Sequence, residues 1–239
     1  MKTIKDILTL FPDTKKKDWH QHPNGEGWVY KTAIVEDSAY IGEDAQVFGN
    51  TRVYGDAQVY GNTQVSGDAR VSGDAQVYGD AWVYGNTRVY GDARVSGNTQ
   101  VYGDAWVYGN TQVYGNTQVS GDAQVSGNTR VYGDAQVYGN TQVSGDARVS
   151  GDARVYGDAR VSGKAWVSGG AWEVSPLYIQ GTKHSITNCK HGYIQIGCEI
   201  HTFDELIKNY KKIGKQYDYT DKEIKEYYEY IKLFKKIGK

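Results

Sequence analysis

Val53-Tyr54-Gly55-Asp56-Ala57-Gln58 is a six-residue unit that recurs as Val101-Tyr102-Gly103-Asp104-Ala105-Trp106 and, with small changes, almost without a break from Val29 to Val167. The consensus is V-[YS]-G-[DN]-[AT]-x. An aliphatic residue stands at position 29 and at every sixth position to 167, 24 positions in all, and from Val47 onward each is Val. A strict period over more than half of the 239 residues settles the kind of architecture before any other feature is read. It says much less about function.

A helix needs apolar positions near every 3.6 residues, and a step of six does not track that. Within one unit, Ala or Thr, a variable residue, Val, and Tyr or Ser alternate with the period of two that marks a short strand. Gly and then Asp or Asn follow, the residues that tolerate left-handed turns. Four strand residues and a two-residue corner therefore make one side of a coil. Val and the Ala or Thr two places before it are expected inside. The residue between them, and the Tyr or Ser after Val, are expected outside.

The pairing of an aliphatic residue with a small one four places on, as in Val47 with Thr51, Val53 with Ala57 and Val59 with Thr63, resembles the hexapeptide-repeat proteins that form a left-handed parallel β-helix. That resemblance implies an all-β solenoid, a triangular prism with three units per turn and about eight coils, each rising about 4.8 Å, the spacing of paired strands. The left hand is unusual for parallel connections and comes from the resemblance alone. A right-handed coil is the alternative that the spacing leaves open.

The division expected is an N-terminal cap at 1–27, the repeat β-helix at 28–174 and a C-terminal segment at 175–239. A stack of coils has open ends whose strand edges invite further pairing, and both ends of this chain change composition. Ile4, Ile7, Leu8, Leu10 and Phe11 form a short amphipathic pattern stopped by Pro12, followed by Lys15-Lys16-Lys17, read as a solvated turn with a phosphate patch as the sharper alternative. At the other end, 177–186 and 193–200 read as strands. Thr202-Phe203-Asp204-Glu205 and Thr220-Asp221-Lys222-Glu223 read as capping boxes that start helices near 203–213 and 221–237, with Gly214 as the C-cap of the first. Ile224, Tyr227, Tyr228, Ile231, Phe234 and Ile237 form an apolar stripe on the second helix, expected to be core. His22-Pro23-Asn24-Gly25, Gly27-Trp28-Val29, Tyr178-Ile179-Gln180-Gly181, Gln195-Ile196-Gly197-Cys198 and His201-Thr202 resemble the end segments of uncharacterised repeat proteins from bacterial and bacteriophage genomes. No established activity comes with that resemblance.

A net charge of −1 gives no bulk field toward duplex nucleic acid or anionic lipid. There is no apolar run long enough to span a membrane and no signal-peptide core after Met1. Cys189 and Cys198 are the two cysteines, at a spacing that suggests reduced thiols in a cytoplasm.

The enzymes best known on the resembling fold are acyltransferases and zinc-dependent carbonic anhydrases, and both place histidines on the coils. Here the five histidines are His20, His22, His184, His191 and His201, none between 23 and 183, and no long loop interrupts the repeat from Val47 to Val167. A general base must reach its proton, so no enzyme activity, catalytic residue or cofactor is expected. Cys189, His191, Cys198 and His201, with His184 near, have zinc-compatible side chains, but C-x-H and C-x-x-H spacing is no recognised zinc signature, and no metal site is expected. The corner Asp residues lack the second glycine of calcium-binding nine-residue repeats. The repeat Thr residues fall at the inward position, which speaks against ice binding.

Taking every third unit sorts the outward residues onto three faces. The first carries Gln46, Gln64, Trp82, Gln100, Gln118 and Gln136, with Phe48, Tyr84, Tyr102, Tyr138 and Tyr156 beside them, and is almost uncharged until Arg154. The second carries Arg52, Arg70 and Arg88 in successive coils, then Trp106 and Arg160; the third carries Tyr60, Tyr78, Tyr114 and Tyr132 with Arg94, Arg130 and Arg148. A flat, aromatic, weakly charged face suits an interface core, so Trp82, Tyr84, Tyr102, Tyr138 and Tyr156 are the contact candidates, with a homo-oligomer, a trimer among the outcomes, as the expected partner state. Arg52, Arg70 and Arg88 are the weaker ligand candidates, for phosphate or nucleotide. The expected function is a non-enzymatic binding or scaffold protein of bacterial or phage origin. The alternatives are a phage anti-defence protein that blocks a host enzyme or holds a nucleotide signal, and an acyltransferase-like enzyme, which the missing coil histidines disfavour. From Asp44 to Asp158 one regularity stands without explanation: Asp is always followed by Ala, and Asn always by Thr.

Overall fold

The corner glycine is where the chain turns. Gly103 has φ +74°, and a Cβ there would lie 2.9 Å from the backbone nitrogen of Gly121 one turn on. Only glycine meets both demands, a left-handed backbone and a close approach between coils. The same glycine conformation recurs at every sixth residue from Gly49 to Gly163.

Between corners the short strands pair in parallel with a register of 18 residues, as in Trp82 with Gln100 and Val83 with Val101. A computed structural model describes residues 1–238 and shows a β-solenoid of about eight turns, its strands sorted into three parallel faces. The first face runs from Trp28–Tyr30 to Ala171–Trp172 and gains an antiparallel strand, Trp19–Gln21, at its N-terminal edge. The other two faces have eight strands each.

The core is what the alternation demands. Val101, Val107 and Val113, one on each face, are fully buried, as are Ala105, Thr99 and Thr111 at the small inward position. Several inward hydroxyls are satisfied locally, whereas those of Thr87 and Thr141 are buried without a partner among the described residues. Thr51, Thr63, Thr99 and Thr111 each donate from Oγ1 to the carbonyl three residues back, across the corner, at 2.6–2.7 Å. Burying an unpaired hydroxyl would be costly, and this corner carbonyl removes most of that cost. The Asn residues have a separate role. Asn50, Asn62, Asn86, Asn116, Asn128 and Asn140 each donate from Nδ2 to the Asp 18 positions later, at 2.9–3.1 Å. Asn98 and Asn110 donate in the same way to Asn116 and Asn128. Asn therefore links coils along each corner. Nothing in these contacts explains why Thr and not Ala follows it.

Helix α1, Ile4–Leu10, begins with a capping box between Thr3 and Asp6 and seats the fully buried Ile7 against Trp19 and Trp28. Phe11 packs on Phe48 with ring centroids 4.8 Å apart. This corrects the reading of the first face: Gln46 is fully buried and Phe48 lies under the cap, so the open part of that face starts at Gln64. Lys15, Lys16 and Lys17 are all exposed.

At the far end Trp172 replaces Val in the inward column and closes the core, 4% exposed, with its indole N–H donating to the Gly169 carbonyl at 2.8 Å. The C-terminal segment is a four-stranded antiparallel sheet, Tyr178–Gln180, Ser185–Lys190, Tyr193–Ile196 and Glu199–Thr202, covered by α2 (Phe203–Gln216) and α3 (Asp221–Ile237). Each of the two strands read from sequence is split in two, the second by a turn at Gly197, φ +59°. Gly214 is not the C-cap of α2, which runs on to Gln216; a Cβ at Gly214 would lie 2.6 Å from Ile224 Cγ1, so α3 packs directly against it. Thr220 and Glu223 form the full capping box, whereas Glu205 faces the His201 imidazole at 3.3 Å instead of closing its box. On α3, Ile224, Tyr227, Ile231 and Phe234 are buried as expected, while Ile237 is exposed. Among the described residues no helix is long and apolar enough to cross a membrane.

Candidate binding surface

Strand register builds each face from residues 18 apart. On the first face it places Gln64, Trp82, Gln100, Gln118 and Gln136 in one unbroken row of neighbours. Beside them Tyr84 stacks on Tyr102 and Tyr138 on Tyr156, with centroids 5.1 and 5.3 Å apart and rings within 8° of parallel. The spacing is that of neighbouring strands, so the solenoid sets the stacking distance. Trp82 is 47% exposed and Tyr138 36%, each available to a partner. Burial against its neighbours raises the Tyr84 hydroxyl above the ordinary tyrosine value, so it stays a neutral donor.

Stacked tyrosines do not single this face out. Tyr90 and Tyr108 stack on the second face, Tyr60 with Tyr78 and Tyr114 with Tyr132 on the third. What distinguishes the first face is the absence of charged strand residues from Gln64 to Gln136; it also carries a dent in its surface. Ser66 and Ser120 interrupt the aromatic column. At Ser66, between Phe48 and Tyr84, the gap opens a hollow of about 410 Å3 walled by Gln64, Trp82 and Gln100. The two serines, three turns apart, were legible as breaks in a column read every 18 residues; the hollow needed the neighbouring rings in place.

The second face aligns Arg52, Arg70 and Arg88 in register, followed by Trp106, over whose ring the Arg88 guanidinium lies at 4.3 Å. Arg52 and Arg70 are exposed and Arg88 is half-buried by that stacking. The stripe is continuous in register, and none of its arginines lines the hollows at the first face, the third face or the C-terminal groove.

The histidines and cysteines are not gathered into one cluster. His184, Cys198 and His201 line a small apolar cavity of about 80 Å3 between α2, α3 and the cap sheet, while Cys189 is buried near Ser168, whose backbone N–H donates to its carbonyl, and His191 lies at a separate groove near Trp172. Among the described residues no group of three or more His, Cys, Asp or Glu side chains is placed to hold a metal. Sequence reading missed this cavity, which forms only when Tyr219 and Tyr227 of the α2–α3 connection and α3 fold over the sheet. There burial drives the Tyr219 hydroxyl well above the ordinary range, and the Tyr227 hydroxyl donates to the His184 carbonyl at 2.5 Å.

No curated protein matches the chain closely enough to count as a relative. Residues 45–61, 64–77, 75–91, 87–101, 99–115, 123–139, 142–155 and 153–169 each match the YdcK beta-solenoid repeat. The chain is thus similar to that repeat through most of its coils and is a repeat β-solenoid protein.

Proposed function

We propose that this protein is a non-enzymatic binding scaffold whose recognition surface is the open first face, and that its first partner is a second copy of the same chain. The carrying observation is the uncharged row from Gln64 to Gln136 flanked by the stacked pairs Tyr84–Tyr102 and Tyr138–Tyr156. Amide and phenol groups can pair across a flat contact without desolvating a charge, whereas the second and third faces would have to bury Arg. A left-handed coil and packing with parallel axes belong to this proposal and rest on the resemblance to hexapeptide-repeat proteins. A bacterial or phage source rests on the end segments in the same way.

The absence of histidine from the coils supports the non-enzymatic reading. Acetyl-CoA is the probe that tests it. Titration of the full chain should give no saturable binding, and no acetyl group should reach an amine or hydroxyl acceptor. Saturable binding with acyl transfer would replace this reading with a transferase.

A further inference from the structure

The corner rule fails once within the regular coils. From Asp44 to Asp158 every corner after the glycine carries Asp or Asn, but Gly163 is followed by Lys164. Lys164 stands in the corner column below Asn128 and Asp146, and the adjacent strand column on the third face reads Arg130, Arg148, Trp166 in register. These residues meet the C-terminal cap. Ser185, Gln195 and Gly197 close the far side of a cleft of about 440 Å3, within the size range of small-ligand sites.

The cations in this cleft outnumber its acids and none is ion-paired. Arg130, Arg148 and Lys164 are exposed, and among the described residues no carboxylate oxygen lies within 4.0 Å of any of them. The one acid in the wall, Asp146, accepts from Asn128 at 3.0 Å through Oδ1. Three cations against one acid, in a concave site, attract an anion. Two arginines one strand apart present forked donors suited to phosphate oxygens. The cleft also holds a fixed ring. Trp166 is half-buried, and its indole N–H donates to Ser150 Oγ at 2.9 Å, which holds the plane in place beneath Arg148. On the cap side, buried Gln195 donates from Nε2 to the Gly197 carbonyl at 2.8 Å.

We infer that the cleft between the third face and the C-terminal cap binds a small phosphorylated ligand bearing a planar heterocycle, of the nucleotide class. Arg130, Arg148 and Lys164 hold the phosphate, and the base stacks on the Trp166 face that Arg148 leaves as it turns to the phosphate, since an aromatic face accepts any base. The site is independent of the first face and of its partner.

Calorimetric titration of the full chain at low salt, with AMP, ATP, adenosine and inorganic phosphate as probes, tests the inference. AMP or ATP should bind at one site per chain, and adenosine and phosphate alone at least about tenfold more weakly. Arg130→Gln with Arg148→Gln, and separately Lys164→Asn, which restores the corner rule without a like-charge contact to Asp146, should each weaken nucleotide binding about tenfold or more while the far-ultraviolet circular dichroism and melting temperature hold. Arg52→Gln with Arg70→Gln, on the second face, should bind as the native chain does. No nucleotide binding, or binding that survives the Arg130 and Arg148 substitutions, overturns the site. Phosphate binding as tight as AMP overturns the role given to Trp166.

Discussion

Asn86 Nδ2 donates to Asp104 Oδ1 at 3.0 Å, one full turn of the solenoid later. The bond recurs along the corners wherever Asn precedes Asp by one turn: the amide supplies the donor that a second carboxylate lacks. Asn86→Asp should destabilise the fold by about 0.5 kcal/mol at low ionic strength, the scale of an exposed charge contact, and the loss should shrink as salt is added. Urea unfolding at two salt concentrations reads this. A loss independent of salt would mean that like-charge repulsion is not its cause.

Gly103→Ala puts a Cβ on a left-handed backbone and against the Gly121 nitrogen at 2.9 Å. The conformation alone costs about 1–2 kcal/mol, and the contact adds to it because backbone on the next coil cannot rotate away. Gly192 has a similar φ of +77° with nothing within 4 Å, so Gly192→Ala should cost only the conformational part. Thermal unfolding of the two variants separates the strain from the coil-to-coil contact.

Asp18 couples the N-terminal cap to pH. The Lys31 ammonium at 2.9 Å and then the Lys15 backbone N–H at 3.0 Å hold its carboxyl below the ordinary aspartate value. A carboxyl depressed in the folded state stabilises above its unfolded value and loses that contribution as pH falls through the folded one. The cap should therefore loosen on acidification from about pH 4 downward. Acid titration followed by tryptophan fluorescence, which sees Trp19 and Trp28, should show a transition that Asp18→Asn removes. An unchanged acid limb in that variant would assign the transition elsewhere.

The two thiols should separate cleanly. Cys189 is buried and its burial raises the thiol above its ordinary value, while Cys198 is exposed. Since the thiolate is the nucleophile, a disulfide reagent at neutral pH should label Cys198 in the native protein and Cys189 only in denaturant. Equal labelling of both would mean that the cap sheet does not cover Cys189 as described.

The solenoid was legible because a period of six with Val and Ala or Thr at fixed offsets leaves few ways to bury both. The number of units per turn was not in the spacing; it came through the family resemblance, and the pairing of Val83 with Val101 carries it here. Local signals served less well where tertiary contact decides. Gly214 carries the residue type of a C-cap, yet it is small because Ile224 packs against it. Gln46 and Phe48 follow the outward pattern but lie beneath α1, which a repeat unit cannot foresee. The basic cleft depended on a single departure, Lys164, and on a cap whose position the sequence did not reveal.

The solution mass of the native protein, by light scattering, tests the central claim about the first face most directly. The 26.6 kDa chain should run as an assembly. Tyr102→Glu with Tyr138→Glu should return it to a monomer with unchanged circular dichroism. A native monomer, or a double variant that stays assembled, would contradict the account.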